Sequence, residues 1–246
     1  MVAAAAKEET MSFDRTVYFD SVRASLFAGG MSQQQVDGQN AILDGWEAVP
    51  SMDDLRWLAY MLATVYHECA KTMWPIEEYG KGAGMKYGKP DPETGQTYYG
   101  RGFVQLTWRD NYARATAKLG LTGDRDIEWH ADRALDLDIA SAVMFGGMSE
   151  GWFTGKHLGQ YFSDSKDDPV NARAIINNDV SKMGQTVAGY HRKFLTALTA
   201  ARRDEPELEA EAEAEADDDD GVIIDISLPA GVSLRLSVNG IAYGPS

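Results

Sequence analysis

The sequence of 246 residues holds one cysteine, Cys69, so no internal disulfide can form. That fits a reducing compartment, or a fold stable without staples. No apolar run reaches the ~18–20 residues that a membrane-crossing helix needs, and no integral membrane segment is expected. The opening residues, Met1 to Thr10, carry an alanine run and then Lys7-Glu8-Glu9. A basic segment followed by an apolar stretch is missing there, so no secretory signal is visible. Bases are few, 23 against 38 acids, for a net charge of −15. That excludes a basic footprint for nucleic acid. The four histidines, His67, His130, His157 and His191, show no metal-ligand spacing. Neither a metal nor a cofactor is expected. What is plentiful is apolar material: 44% hydrophobic and 10% aromatic residues, enough for a core.

The acidity is concentrated. Asp204 to Asp220 holds eleven acids and no base, which leaves 27 acids against 23 bases elsewhere. Like charges this dense repel and keep a segment extended, so 204–220 reads as a linker rather than an interaction tail. Beyond it, Ile224, Ile226 and Leu228 alternate with polar residues, as do Val232, Leu234, Leu236 and Val238. Period-two patterning marks strands, with Pro229-Ala230-Gly231 as the turn between them. A lone hairpin is marginal in water, so 221–246 is expected to self-associate, dock or swap between subunits. Residues 1–12 are expected to be disordered, and 13–203 to form the main domain.

That domain reads as mostly helical. Over Asp53 to Cys69, the residues Leu55, Leu58, Ala59, Leu62, Tyr66 and Cys69 form one apolar face at helical spacing. Ser51, with Asp54 three residues on, resembles a capping box. Trp57, Met61, Thr64 and Glu68 form a second stripe, so this helix is expected in the middle of the fold. Further helices are expected near 131–145 and 187–201.

Glu68 ends the second stripe. A carboxyl in apolar surroundings is costly to ionise, and a raised pKa suits a general acid at neutral pH. The plainer reading is a glutamate reaching solvent at a helix end. Pro75 breaks the helical pattern, and Glu77 and Glu78 follow. A reversal there brings a second carboxylate towards Glu68, and two carboxyls around a water are the machinery of inverting glycoside hydrolysis. A solvated acidic loop is the alternative. The run Tyr98 to Trp108, then Asn111-Tyr112, interleaves aromatics with Gln, Thr and Asn. It suits sugar recognition, or equally a hairpin-like turn whose rings pack in the core.

Other chemistries fail on detail. His67-Glu68 begins a zincin motif, but Lys71 stands where the second histidine must be. Gly147 to Gly151 matches G-x-S-x-G, yet the preceding residues read as helix where that elbow needs a strand. Gly80 to Gly84 lacks the spacing of a phosphate loop. Cys69 has no partner base and reads as a small buried residue.

Taken together, Ala63-Thr64-Val65-Tyr66-His67-Glu68, Pro75-Ile76-Glu77-Glu78-Tyr79-Gly80, Tyr98-Tyr99-Gly100-Arg101-Gly102, Gln105-Leu106-Thr107-Trp108 and Asn111-Tyr112 resemble glycoside hydrolase family 19. More narrowly they resemble the chitinase-like endolysins of phages and prophages. Trp152 to Lys156, Asn171 to Asn177 and Tyr190-His191 continue the likeness, which spans roughly 13–201. The resemblance implies a mainly α (α+β), lysozyme-like two-lobed domain with a deep cleft and a small β element. It implies an enzyme that hydrolyses β-1,4 bonds beside N-acetylglucosamine-type sugars, with inversion.

Carried over by residue, Glu68 is the general acid and Glu77 the base, with Glu78 its competitor. Thr107 helps hold the attacking water. His67, Glu78, Tyr99, Arg101, Gln105, Trp108, Asn111, Tyr112 and Asn177 are expected to bind substrate. Three departures stand out: Cys69-Ala70-Lys71 where the family often has Thr-Gly-Gly, Phe103-Val104 for Pro-Ile, and Asn178-Asp179 for a glycine. Asn and Asp tolerate left-handed backbone, so that last turn is expected unchanged. The expected substrate is peptidoglycan, with a chitin-like polymer as the alternative and a non-catalytic wall-binding or virion protein as the third reading. The implied location is a host bacterial cytoplasm until the membrane is breached, then the periplasm and wall.

Overall fold

The computed structural model describes residues 11–49, 51–203, 236–238 and 241–243. The chain divides into two compact units, Met1–Glu205 and Pro206–Ser246. In the first, α1 (Arg15–Leu26), α2 (Gln33–Glu47), α3 (Leu55–Glu68), α4 (Arg109–Leu119), α5 (Leu137–Glu150) and α6 (Val180–Ala201) make a mainly helical fold. Short antiparallel pairs accompany them: β1 (Ser12–Phe13) with β6 (Arg202–Arg203), β2 (Ile76–Glu77) with β3 (Arg101–Gly102), and β4 (Phe162–Ser163) with β5 (Lys166–Asp167). Ser12, expected in a disordered start, is therefore paired, to Arg203. Residues 1–10 lie outside the described residues. Among the described residues, no helix is long and apolar enough to cross a membrane.

The centre of the domain is α3. Every residue from Leu58 to Tyr66 is buried, as two apolar stripes on one helix require. It packs on α6, which also packs on α1. The helix is capped by Asp54, whose carboxylate accepts from the Arg56 N–H at 3.0 Å, and not by Ser51. An acceptor one residue before the first turn reaches its free N–H groups; Ser51 is too far upstream. α3 stops at Glu68, well before Pro75. Ala70, Lys71 and Met73 then take positive φ values of 48°, 67° and 53°.

Two further expectations shift. The helical pattern over 131–145 is broken at Asp136, into a 3-10 turn, Ala131–Leu135, and α5. α6 begins seven residues earlier than the apolar periodicity shows, at Val180. Ser149 lies within α5 and donates to the Phe145 carbonyl at 2.7 Å, so the G-x-S-x-G run is helix and not an elbow. Its glycine has a packing role instead: a Cβ at Gly147 would meet Phe153 at 2.0 Å.

In the second unit, β7 (Leu236–Val238) pairs with β8 (Ile241–Tyr243), Leu236 opposite Tyr243. The expected first strand, the Pro229–Gly231 turn and the acidic stretch lie outside the described residues.

Candidate active site

α3 delivers His67 and Glu68 at its C-terminal end to one side of a cleft of about 550 Å³. The other side is built by the small β element. Glu78 continues β2, its N–H donating to the Gly100 carbonyl at 2.7 Å. Gln105, Thr107, Trp108 and Asn111 come from the turn after β3 and the start of α4, and Asn177 and Phe153 complete the lining. The turn is tight: Gln105 and Trp108 adopt φ of 52° and 75°. It is held from within. The Gln105 amide donates to the Ile76 carbonyl at 3.1 Å, the Thr107 hydroxyl to the Gln105 carbonyl at 2.8 Å, and the Asn111 amide to the Thr107 carbonyl at 2.8 Å. Non-glycine residues at positive φ persist only where such surroundings over-determine them. Trp108 stays 48% exposed at the cleft.

The surroundings of Glu68 are not the apolar ones the sequence implied. Its carboxylate is paired with Arg173, a side chain only 3% exposed. The same guanidinium reaches Asp179 through Nε at 2.6 Å. Burial pushes the Asp179 carboxyl up, but hydrogen bonding and charge from Arg173 together hold it below the ordinary value. Burial holds the neighbouring His67 below its ordinary value, against the pull of the Glu68 charge. Asp179 has φ −91°, so the Asn178-Asp179 turn does not use left-handed backbone. Asp179 spends its side chain on Arg173 instead.

Glu77 and Glu78 part company. Successive residues of a strand face opposite ways. Glu78 lines the cleft with Glu68, and accepts from the Gly100 N–H at 3.2 Å. Glu77 is not among the residues lining it. Its carboxylate is paired with Lys81 at 2.8 Å, accepts from the Tyr99 hydroxyl at 2.5 Å, and lies 3.7 Å from Arg101 Nε. The Lys81 and Tyr99 hydrogen bonds hold it below the ordinary carboxylate range.

Three expected substrate contacts belong to that second network. Tyr99, Arg101 and Tyr112 are buried. The Arg101 guanidinium lies over the Tyr99 ring at 3.7 Å and donates to the Tyr112 hydroxyl at 3.2 Å. Tyr112 in turn donates to the Tyr99 carbonyl at 2.9 Å. None of the three is among the residues lining the cleft. Sequence reasoning missed Arg173, Asp179 and Tyr87, all at or beside the cleft. Arg173 and Asp179 gave no local signal of burial or pairing, and Tyr87 sits in an aperiodic glycine-rich stretch. Among the described residues, no group of three or more His, Cys, Asp or Glu side chains could hold a metal ion.

No family model and no curated protein matches this sequence. Solved structures do. Chitinase C from Streptomyces griseus HUT6037 is 18% identical, over 76% of this chain and 92% of that one, with a TM-score of 0.52. A bacterial family 19 chitinase is 19% identical over 76% and 94%, with a TM-score of 0.45. A class IV family 19 chitinase from Zea mays is 19% identical over 80% and 87%, with a TM-score of 0.38. Likeness at this identity is a statement about fold, and it rests on the first of these: the chain has a mainly helical, chitinase-like fold.

Proposed function

We propose that this chain is a glycoside hydrolase that cuts β-1,4 bonds of murein glycan strands with inversion, in the manner of a phage endolysin. The observation that carries the chemistry is the sharing of one cleft by Glu68, Glu78 and Thr107. In this reading Glu68 is the acid and protonates the bridging oxygen. Arg173 keeps Asp179 as a second carboxylate, so its charge stays compensated when Glu68 carries the proton. Glu78, and not Glu77, takes a proton from a water held with Thr107. That water attacks the opposite face of the sugar, and the two carboxylates stabilise positive charge developing on the ring. Glu77 has its hydrogen-bonding capacity committed to Lys81 and Tyr99, which is a bracing role. Trp108 covers an apolar sugar face, and the amides of Gln105, Asn111 and Asn177 meet hydroxyl and acetamido groups.

A second reading, a chitinase acting on N-acetylglucosamine polymers, has one specific support. Among the described residues lining the cleft none is Lys or Arg. That suits an uncharged sugar at least as well as one carrying lactyl and peptide carboxylates. The solved structures named above are themselves chitinases.

Mass spectrometry of products from purified murein and from chitin oligomers separates the readings. Muropeptides with new reducing ends support the proposal. A reducing N-acetylmuramic end means a muramidase and a reducing N-acetylglucosamine end a glucosaminidase. Cleavage of chitin oligomers alone supports the second reading. Murein binding with no reducing-end release overturns both and leaves a wall-binding protein.

A further inference from the structure

The loop between β2 and β3 carries a tyrosine that neither the motif likeness nor the two-carboxylate scheme uses. Tyr87 lies in a 3-10 turn, Lys86–Gly88, and lines the cleft beside Glu78. Its ring stands edge-on to Trp108, with centroids 5.0 Å apart at 82°. Its carbonyl accepts from the Tyr98 N–H at 2.9 Å, which ties the turn to the strand leading into β3. From the other side Gly82 presses in at φ +67°. A Cβ there would lie 2.8 Å from Tyr87 Cδ2 and 2.7 Å from Gly88 Cα. Braced there by Trp108, the Tyr87 ring shares the cleft with Glu78.

We infer that Tyr87 is a positioning residue for the water-activating carboxylate: its O–H donates to Glu78 and fixes the orientation of that carboxylate. The inference rests on the proposed role of Glu78. Burial, then the Glu78 charge, push the Tyr87 hydroxyl above its ordinary value, so it remains a donor through the working pH range. With the Gly100 N–H also on Glu78, the carboxylate is held by two donors and keeps remaining acceptor capacity for a water. The Trp108 contact then has a dual use: the same indole that meets substrate also buttresses the tyrosine that aims the base.

The test is Tyr87→Phe in the full chain, assayed for reducing-end release from soluble murein glycan fragments across pH. The ring and its packing on Trp108 remain, and only the hydroxyl leaves. A hydrogen bond to a charged group supports a loss in kcat of about tenfold, with KM changed by less than about twofold. In a Glu78→Gln background, Tyr87→Phe should add little further loss. A wild-type kcat, with Glu78→Gln inactive, overturns the inference alone. A change in KM only also overturns it, since the tyrosine is then a sugar platform. Glu78→Gln at the wild-type rate overturns the base assignment and the inference together.

Discussion

Glu68 stands on the helical side of the cleft and Glu78 on the loop side, and different forces hold them. Glu68 ends a helix buried along nine consecutive residues, and its carboxylate is clamped by Arg173, which Asp179 clamps in turn. Glu78 follows a two-residue strand, accepts one backbone N–H, and shares the cleft with Tyr87, whose ring meets Trp108 edge-on. The helical side is tied to the core, so damage there should reach the stability of the whole domain. The loop side is tied to itself, so damage there should reach activity first. Glu77 and Glu78 repeat the contrast at one-residue spacing: one carboxylate is spent on Lys81 and Tyr99, the other faces the cleft.

The largest expected effect comes from Arg173→Met. It leaves Asp179 and Glu68 without their shared cation, and removing one partner of a buried ion pair costs about 3 kcal/mol or more. We take the low end, because both carboxylates keep some solvent contact. Chemical denaturation should show that loss, and murein hydrolysis should fall at least about a hundredfold. A variant as stable as wild type would break the link between this wall and the core.

His191 of α6 probes the same core through pH. It is buried, stacked on Phe162 with Tyr60 alongside, and burial pushes it down to about 4 from 6.5. The folded protein therefore binds fewer protons than the unfolded chain between those values. Its contribution to stability is present above pH 6.5 and is lost as pH falls towards 4, to a total of roughly 3 kcal/mol. Denaturation at pH 7 and pH 4.5 should show a smaller drop for His191→Phe than for wild type. Equal drops would show that this histidine does not resist protonation.

On the loop side, Gly82→Ala forces the chain near Tyr87 and Gly88 apart at a φ of +67°. Activity should fall about tenfold while the melting temperature of the domain moves by only about 2–4 °C. A collapse of stability instead would show that the loop is as integral as the helical wall. The smallest effect is expected at Ala70, exposed and at φ 48°. Ala70→Gly relieves left-handed strain and should stabilise by about 1 kcal/mol, measured by denaturation, with no change in activity.

The helical wall was far more legible in the sequence than the loop wall. Two apolar stripes on one segment mark a buried helix, with Glu68 at its end. Its partner was not legible. Nothing near Arg173 marks it as buried, because the pairing joins residues 105 apart in the chain. The choice between Glu77 and Glu78 is not legible for a different reason. A strand of two residues has no pattern to set its phase, and a one-residue difference decides which carboxylate faces the cleft. Aromatics beside an arginine, as at Tyr99, Arg101 and Tyr112, look alike in sequence whether they pack in the interior or meet a sugar. The tail hairpin had a signal that went unused: Asn239-Gly240, a strong hairpin-turn pair, stands between β7 and β8.

The central claim is that Glu68 and Glu78 act across one cleft while Glu77 braces it. Initial rates of reducing-end release from murein by Glu68→Gln, Glu77→Gln and Glu78→Gln, measured side by side, test it directly. The expected result is a loss of about 10²–10⁴-fold for Glu68→Gln and Glu78→Gln, and less than about tenfold for Glu77→Gln. A nearly inactive Glu77→Gln beside an active Glu78→Gln would contradict it.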